Sequence, residues 1–520
     1  MLTVAVGAQL TGLLRPALSR WGILFGLTAL VGIALRVWTY RSVMGTPNAD
    51  EAVVGLMARH ILDGQLTTFY WGQAFGGSQE ALLTAPVFFV AGSSWLALRL
   101  IPVALTALAA LLIWRVGRRT IGEPAGAVAA AVFWIWPPFD IFQLTHQQGF
   151  YASNVVYCAL LLLLALRVVE RPDRSRAGIF GFVLGLAFWQ TAQIVPVAAG
   201  VIAWTIWKRP RALRQLWVAL PLAALGALPW IIWNAGHDWE SLALPGYGDR
   251  AHSLRLLASP VLPMMVGLRA PFSAELLLPA ALTYLLYVGL VALFVYAAFK
   301  TRRRNTSILF FVVAVFPFVY VISPKTVFAL GTPRFIVVLT PILALLLAQL
   351  ATNYFRAAAI LALACGVSVV TLHRMDVWFR APPAPVTHAQ GLGPRHTVQW
   401  VPRDLDRLIS TLDALDLDHV YADYWLAYRL NFDTRERIIA VENPFTQLSF
   451  DGGQAVPSPQ PDVRYPPYDR QVRRARHGFI FYRQTVRSVP IIKRLEESAY
   501  RRYLVGSYVV YAPAGAFAGR

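Results

Sequence analysis

The stretch WLALRLIPVALTALAALLIW, residues 95–114, decides the fold class, because one charged residue interrupts a run long enough to cross a bilayer. A membrane-spanning helix needs about 20 mostly apolar residues. Similar runs recur along the chain, which is 57% hydrophobic and 14% charged, with a mean hydropathy of +0.52. Soluble proteins are about 25% charged. The sequence therefore excludes a soluble enzyme, a secreted disulfide scaffold and a disordered chain. It predicts a mainly α-helical, polytopic membrane protein.

About eleven transmembrane helices are predicted from these apolar runs. Three are short for a span, and residues 81–92, which contain Pro86, are shorter still and are interpreted as an interfacial helix. The predicted spans are 21–38, 95–114, 125–139, 153–169, 177–191, 194–207, 216–234, 276–299, 307–323, 335–350 and 357–374.

Charge predicts the orientation of this stack. The net charge of +20 does not indicate a nucleic-acid partner, because the basic residues lie mostly in short loops between apolar runs. With the N-terminus inside, most basic residues before residue 376 are cytoplasmic and most acidic ones are external, as the positive-inside rule requires. We therefore expect a multi-pass membrane protein with its N-terminus inside and its C-terminus outside. Cys158 and Cys365 lie inside apolar runs and are interpreted as core residues.

The composition changes near residue 375, which predicts a transmembrane domain over 1–375 and a small extracytoplasmic α/β domain over 376–520. The second region has charges of both signs and no run long enough to span a membrane. Its Gly-, Pro- and Ser-rich stretch 452–468 is predicted to be a loop. The predicted elements are a helix at 403–416 and strands at 419–421, 437–441, 478–482 and 504–511.

The first external loop, at about residues 40–94, opens with an acidic pair at the mouth of the first span. Asp50 and Glu51 lie within TPNADEAVVGLMARHIL, residues 46–62. One interpretation gives them a chemical role at the membrane surface. The alternative is that Asp50 caps the helix that follows, since Asp is a favoured N-cap residue.

The same loop continues with TTFYWGQAFGGSQEALL, residues 67–83, which concentrates aromatic, glycine, amide and carboxylate residues. Glycines allow tight turns, and aromatic faces beside amides and carboxylates suit the hydroxyl groups of sugars. Tyr70, Gln73 and Glu80 are therefore candidate sugar- or acceptor-binding residues. Beside an acidic pair at a membrane surface, this pattern indicates a carbohydrate site.

Three features together resemble the GT-C superfamily of membrane glycosyltransferases. They are the acidic pair, the Tyr-x-Gly-Gln-x-x-Gly-Gly-Ser-x-Glu stretch from Tyr70 to Glu80, and GTPRFIVVLTPILALLL, residues 331–347. The resemblance covers roughly residues 20–375. It is to the protein O-mannosyltransferase and aminoarabinose-transferase type, found also among actinobacterial mannosyl- and arabinosyltransferases. An excess of Arg over Lys and Ala-rich spans suit a high-GC bacterium such as an actinobacterium.

The resemblance implies an inverting transfer of a sugar from a polyprenyl-phosphate donor at the outer face of the membrane. The catalytic acid of the family corresponds to Asp50, with Glu51 as its neighbour, and the family's Arg-containing motif corresponds to Arg334. Arg334 and Lys325 are candidate ligands of the donor phosphate. Both are basic residues on the predicted outer side, where the positive-inside rule expects few, and a cation there can bind a lipid phosphate. Mannose is the preferred donor sugar and arabinose the alternative.

A second candidate segment is DIFQLTHQQGFY, residues 140–151, between two predicted spans. His146 either binds sugar, phosphate or a metal, or forms a structural hydrogen bond. Some relatives use a divalent cation, but the sequence shows no convincing ligand set, so metal dependence stays open and no other cofactor is expected.

Two segments of the C-terminal region carry alternative interpretations. HVYADYWLAYRLNF, residues 419–432, either stacks on sugars or forms a buried strand–helix junction. The basic run RQVRRARH, residues 470–477, either contacts anionic headgroups or a polyanionic glycan, or is a solvated face.

Two other functions remain open. A transporter or flippase of a lipid-linked sugar would place ionisable groups near the bilayer midplane, whereas in this chain the spans are nearly free of charge. A glycan ligase or polymerase would share the chemistry and change the substrate. The expected partners are the lipid-linked donor, membrane lipids, and a glycan, glycolipid or protein acceptor, with no nucleic acid.

Overall fold

The computed structural model describes residues 19–243, 250–301, 306–322, 332–381, 401–443, 448–451, 454–457, 463–483 and 491–514. The chain divides into two compact units. We call one the bundle unit, which comprises Met1–Met44, Pro102–Thr145 and Phe150–Trp378. The other, the mixed unit, comprises Gly45–Ile101, His146–Gly149 and Phe379–Arg520. Most of the predicted first external loop, within Gly45–Ile101, thus belongs to the same compact unit as the C-terminal residues. The sequence analysis included this loop in the transmembrane domain, 1–375.

The helices of the described residues follow one another along most of the chain. In chain order they are α1 (Arg20–Arg41), α2 (Ala49–Leu62), α3 (Gln79–Ala91), α4 (Trp95–Thr120), α5 (Glu123–Ile135), α6 (Pro138–Gln143), α7 (Tyr151–Glu170), α8 (Arg174–Gln190), α9 (Val195–Lys208), α10 (Leu216–Gly226), α11 (Leu228–Ala235), α12 (Arg250–Leu256), α13 (Leu262–Val266), α14 (Ala280–Thr301), α15 (Ser307–Tyr320), α16 (Thr340–Ala348), α17 (Tyr354–Arg380), α18 (Asp406–Ala414), α19 (Tyr424–Asp433), α20 (Pro466–Arg474) and α21 (Ile491–Glu496).

Each of the eleven predicted spans falls on helical structure, but the count of eleven full-length spans is not confirmed. Among the described residues, five helices are long and apolar enough to cross a membrane: α1, α4, α7, α14 and α17. A sixth span arises if the pair Pro210–Gly226 and Leu228–Ala235, bent by 66°, counts as one. The remaining apolar helices are shorter than about 20 residues. The protein is a multi-pass membrane protein, and α3 forms the predicted short helix at 81–92.

Small residues let α8 and α10 of the bundle unit pack closely. A side chain on Gly181 would place its Cβ 2.1 Å from the carbonyl oxygen of Ala219, and one on Gly185 would lie 2.0 Å from that of Ala223. Glycine is common at such interfaces in membranes because packing contacts, rather than exclusion of water, hold apolar helices together. Any larger residue at these two positions would separate the helices.

The C-terminal part of the mixed unit is an α/β fold, as the sequence predicts. Its five-stranded sheet has the order β2-β1-β5-β7-β6, with β1 parallel to β2 and β5, and β7 antiparallel to β5 and β6. A separate antiparallel pair is formed by β3 and β4. The strands are β1 (His419–Ala422), β2 (Ile439–Glu442), β3 (Leu448–Asp451), β4 (Gln454–Pro457), β5 (Gly478–Tyr482), β6 (Tyr500–Val505) and β7 (Tyr508–Pro513).

Two predictions in this region were wrong in detail. The single strand predicted at 504–511 is a hairpin of β6 and β7, because Gly506 has a φ of +57° and turns the chain. The loop predicted at 452–468 contains β4 and the start of α20, where two prolines occupy the first helical turn and favour its initiation. The predicted helix at 403–416 and the other three strands are confirmed by α18, β1, β2 and β5.

Within the mixed unit, the external loop packs against the C-terminal fold through α2 and α19. The Arg59 guanidinium donates to the Phe432 carbonyl oxygen at 2.9 Å and lies 4.1 Å from the Phe432 ring centre. The Trp95 indole donates to Asp433 at 2.7 Å. A second contact stacks the Trp71 ring on the Tyr465 ring, with centres 4.2 Å apart. These contacts fix the loop that carries Asp50.

Candidate active site

Asp50 lies in the first turn of α2, and its carboxylate does not cap that helix. The cap is Asn48, whose side-chain oxygen accepts from the Glu51 backbone N–H at 3.1 Å. An N-cap oxygen satisfies one of the free N–H groups at a helix start. Because Asn48 does this, the capping interpretation of Asp50 was wrong, and its carboxylate is available for other partners.

Two tyrosine hydroxyls hold one oxygen of the Asp50 carboxylate. Tyr424, at the start of α19, donates to Oδ1 at 2.6 Å, and Tyr70 lies 3.4 Å from the same oxygen. The Tyr70 hydroxyl also lies 3.1 Å from the Asp50 carbonyl oxygen. Among the described residues, Oδ2 receives no hydrogen bond, and Asp50 is half-buried rather than enclosed. The carboxylate is therefore anchored through one oxygen while the other remains open.

The electrostatic setting keeps both tyrosines protonated. Burial raises the pKa of Tyr424 well above its usual value, the negative charge of Asp50 raises it further, and Arg464 opposes the shift. Burial likewise raises the pKa of Tyr70 well above its usual value. Both hydroxyls are consequently protonated at neutral pH and act as hydrogen-bond donors.

The Arg464 side chain lies beside both Tyr424 and Tyr70. Its Nε donates to the Tyr424 hydroxyl oxygen at 3.3 Å, and its guanidinium lies 5.3 Å from the Tyr424 ring centre and 5.7 Å from that of Tyr70. Gly72 allows this approach, because a Cβ at this position would lie 2.7 Å from the Arg464 Cα. Gly72 also has a φ of +67°, a conformation that other residues rarely adopt. Gly72 is therefore required both for its conformation and for lack of a side chain.

Glu51 is fully buried in an ion pair with Arg99. Arg99 donates to both carboxylate oxygens, at 2.7 and 2.5 Å, and to the Gly45 carbonyl at 2.9 Å. The Gln147 backbone N–H donates to Glu51 at 3.0 Å. Burial alone would raise the pKa of Glu51, but Arg99, His146 and these hydrogen bonds outweigh it and lower the pKa. This geometry suits a structural link that holds the first turn of α2, not proton transfer to a substrate.

The other predicted site residues are placed as follows. Tyr70 joins Asp50, as described, and His146 lies in the segment that the structure brings to Glu51. Glu80 and His146 are almost fully buried, whereas Gln73 is half-buried with an Oε1 that makes no hydrogen bond in the described part of the chain. Their roles in sugar binding stay predictions.

Of the two predicted phosphate ligands, the structure describes only Arg334. Arg334 begins a 3₁₀ helix, Arg334–Leu339, of the bundle unit. Its guanidinium lies 5.2 Å from the Phe335 ring centre, and its buried Nε has no hydrogen-bond partner among the described residues. Lys325 lies outside the described residues. An unsatisfied buried donor is what a ligand of anionic character would satisfy.

No group of three or more His, Cys, Asp or Glu residues within the described ranges could hold a metal ion. Asp50, Glu51 and His146 do not form such a set, since Glu51 is committed to Arg99. The two acids of the pair therefore have different environments. Glu51 is buried in an ion pair with Arg99, whereas the Asp50 carboxylate accepts a hydrogen bond from Tyr424.

Sequence reasoning missed Tyr424 and Arg464 as site residues. The aromatic stretch 419–432 forms the buried strand–helix junction that was one of its two interpretations, as β1 and α19. Its first helical residue nevertheless contacts Asp50. The only signal was the density of tyrosine in that stretch. Nothing in the sequence around Arg464 indicated its position. The basic run 470–477 is mostly in α20, where Arg473 pairs with Asp469 at 2.6 Å.

The contact between His60 and Glu436 predicts a pH-dependent stability of the mixed unit. Their side chains are 2.7 Å apart. Burial lowers the pKa of His60, but the hydrogen bond and charge of Glu436 outweigh this and raise it above 6.5. Burial would raise the pKa of Glu436, but hydrogen bonds from His60 and Tyr468 lower it below 4.5.

Stabilisation by His60 is therefore complete below pH 6.5 and is lost as pH rises through its raised pKa; that of Glu436 is lost only as pH falls through its lowered pKa. We expect Glu436→Gln to lower the unfolding temperature in detergent more at pH 5.5 than at pH 8.5. Glu497→Gln, which removes an exposed carboxylate 3.8 Å from Lys493, is the control and should show no such difference. An equal effect of Glu436→Gln at both pH values would contradict the assignment.

Comparisons with known proteins agree with this architecture. A family model described as dolichyl-phosphate-mannose-protein mannosyltransferase matches residues 81–233. The crystal structure of ArnT from Cupriavidus metallidurans bound to undecaprenyl phosphate is similar, with a TM-score of 0.61 and 14% identity over 97% of this chain and 100% of that chain. The apo structure gives 0.60 and 13% over the same shares. No curated protein sequence matches the chain.

The structural likeness shows the fold, and the family model adds a sequence match over part of the helical region. Together they confirm the predicted resemblance to GT-C membrane glycosyltransferases. The matched segment begins directly after the Tyr70–Glu80 stretch and ends before Lys325 and Arg334. It therefore includes neither Asp50 nor either predicted phosphate ligand.

Proposed function

We propose that the chain is an inverting glycosyltransferase that takes a sugar from a polyprenyl-phosphate donor, with Asp50 as the general base. The observation that carries the proposal is the one-sided anchoring of the Asp50 carboxylate, with Oδ1 held by Tyr424 and Oδ2 open. A base must be oriented within hydrogen-bond reach of the proton it removes. The likeness to ArnT bound to undecaprenyl phosphate supports the choice of lipid donor.

The reaction needs one carboxylate. Oδ2 of Asp50 accepts the proton of the acceptor hydroxyl as that oxygen bonds to the anomeric carbon, and the bond from that carbon to the phosphate oxygen breaks. Polyprenyl phosphate leaves with the electron pair as an anion, so its departure requires positive charge rather than a general acid. Attack on the face opposite the phosphate inverts the anomeric centre. Glu51 has no step of its own in this scheme, because its two oxygens are bound to Arg99.

Arg334 and Lys325 are proposed to bind the donor phosphate. The unsatisfied Nε of Arg334 supports this assignment for Arg334, since a guanidinium binds phosphate oxygens bidentately. Arg334→Gln is expected to raise the KM for the donor and to lower kcat/KM about 10- to 100-fold, the range of a charge-assisted hydrogen bond. Arg334→Lys should retain part of the activity because it keeps the charge.

The measurement is initial-rate transfer at several donor concentrations in proteoliposomes. Arg356→Gln removes an exposed arginine of the same unit, whose partner is Thr352, and should leave the donor KM unchanged. An unchanged donor KM in Arg334→Gln would exclude Arg334 as a phosphate ligand.

Mannose is the proposed donor sugar, with arabinose as the alternative, and the proposed acceptor is a glycan, glycolipid or protein at the outer face of a bacterial cytoplasmic membrane. The proposal is tested by offering radiolabelled polyprenyl-phosphate mannose and arabinose to purified protein in liposomes that contain a membrane extract. Labelled product from either donor supports glycosyl transfer. Movement of labelled lipid across the bilayer without product would favour a transporter or flippase, and transfer of a preassembled glycan would favour a ligase.

A further inference from the structure

We infer that Tyr424 and Arg464 are positioning residues for Asp50, so that the C-terminal region completes the catalytic site. The inference rests on the proposed function, because it concerns the same base. The residues come from distant parts of the sequence: Asp50 from the first external loop, Tyr424 from the start of α19, and Arg464 from the segment before α20. The mixed unit brings all of them together.

The hydrogen-bond directions define the arrangement. Tyr424 has one hydroxyl proton, and it donates this proton to Oδ1 of Asp50 at 2.6 Å. Its hydroxyl oxygen is then an acceptor, and Arg464 Nε lies 3.3 Å from it. A cationic donor on the hydroxyl oxygen strengthens the bond that the hydroxyl makes to a carboxylate. Arg464 therefore donates to Tyr424, and Tyr424 donates to Asp50. The acceptor atom on Asp50 is Oδ1, whereas the proposed base is Oδ2.

Each member of this arrangement is itself held in place. Asp423 caps α19 by accepting from the Trp425 backbone N–H at 3.0 Å, which fixes the helix turn that carries Tyr424. The Arg464 backbone N–H donates to the Tyr428 hydroxyl at 2.7 Å. A site is precise when the residues that contact the reacting group are fixed by further contacts. The C-terminal fold provides these contacts, and the external loop alone does not.

Tyr424→Phe tests the inference. Loss of the short hydrogen bond from Tyr424 leaves the charged carboxylate only the longer contact with Tyr70, so its orientation is less restricted and we expect kcat to fall about 10- to 100-fold. The KM values for donor and acceptor should stay within about twofold of wild type, because the hydroxyl does not touch substrate in this scheme.

Tyr468→Phe is the matched control. Tyr468 is also buried in the mixed unit and also donates to a carboxylate at 2.6 Å, that of Glu436. If Tyr424 acts only through stability, the two variants should lose activity and unfolding temperature in parallel. If Tyr424 positions Asp50, only Tyr424→Phe should lose kcat after correction for the folded fraction. Equal loss in both, or wild-type kcat in Tyr424→Phe, would overturn the inference.

Arg464 provides a second, independent test. Arg464→Gln removes the cation that faces Tyr424, and Arg464→Lys keeps it. We expect kcat to fall in the glutamine variant and to recover in part in the lysine variant, with KM unchanged in both. Equal kcat in both variants would overturn the role of the Arg464 charge. If Asp50→Asn abolishes transfer while these variants behave as wild type, the positioning role fails and the proposed function stands; if wild type itself transfers nothing, the proposed function fails.

Discussion

Asp50→Asn is expected to reduce the rate of sugar transfer about 10²–10⁴-fold, the usual contribution of a general base. Asparagine has nearly the same shape as aspartate, and its side-chain oxygen can still accept from Tyr424 and Tyr70. Folding and membrane insertion should therefore be retained while the proton acceptor is lost. The measurement is the initial rate of transfer in proteoliposomes at saturating donor, with the protein amount matched by quantitative immunoblot.

Asp63→Asn is the control for this variant. Asp63 is exposed at the C-terminal end of the same helix, α2, so the substitution makes the same chemical change away from the site. It should retain the wild-type rate. Wild-type transfer by Asp50→Asn would remove Asp50 as the base, and equal losses in both variants would point to a general effect of charge in α2.

Arg99→Met is expected to destabilise the mixed unit by about 3–5 kcal/mol, because it leaves the fully buried Glu51 carboxylate without its counter-ion. The Gly45 carbonyl also loses its donor. The result would be a large drop in the unfolding temperature in detergent and a poor yield of folded protein. Glu51→Gln should also be destabilising, since it leaves the buried Arg99 without its counter-ion, although the amide oxygen can keep one hydrogen bond to Arg99.

The double variant Glu51→Met with Arg99→Met separates charge from packing. Replacement of a whole buried ion pair by apolar residues is often close to neutral, so the double variant should be more stable than Arg99→Met alone. Arg473→Gln, which breaks an exposed pair with Asp469, serves as the control and should cost at most about 1 kcal/mol. A stable Arg99→Met protein would contradict the structural role of the pair.

The sequence predicted the helical segments well, because twenty apolar residues in a row report burial in a membrane without tertiary information. The number of full-length spans was harder to predict. Runs such as 125–139 and 307–323 correspond to short helices, α5 and α15, and 216–234 corresponds to a bent pair. Hydropathy does not show where a helix ends inside an apolar run. The hairpin of β6 and β7 was missed because only two residues, Gly506 and Ser507, separate the two strands.

The candidate site was predictable only in part. Asp50 and Tyr70 lie 20 residues apart in one loop, and their pattern indicated a site. Tyr424 is 374 residues from Asp50 in sequence, so no spacing links them. Glu51 looked equivalent to Asp50 as a neighbouring acid. Successive helical residues point in different directions, and this places Glu51 on Arg99 and Asp50 beside the tyrosines.

Transfer from a polyprenyl-phosphate sugar by the purified wild-type protein tests the central claim most directly. The protein is reconstituted in liposomes with a membrane extract, and radiolabelled polyprenyl-phosphate mannose and arabinose are supplied separately. We predict a labelled product of inverted anomeric configuration, together with release of polyprenyl phosphate in equal amount. Folded protein that releases no polyprenyl phosphate from either donor, yet moves labelled lipid between leaflets, would contradict the account.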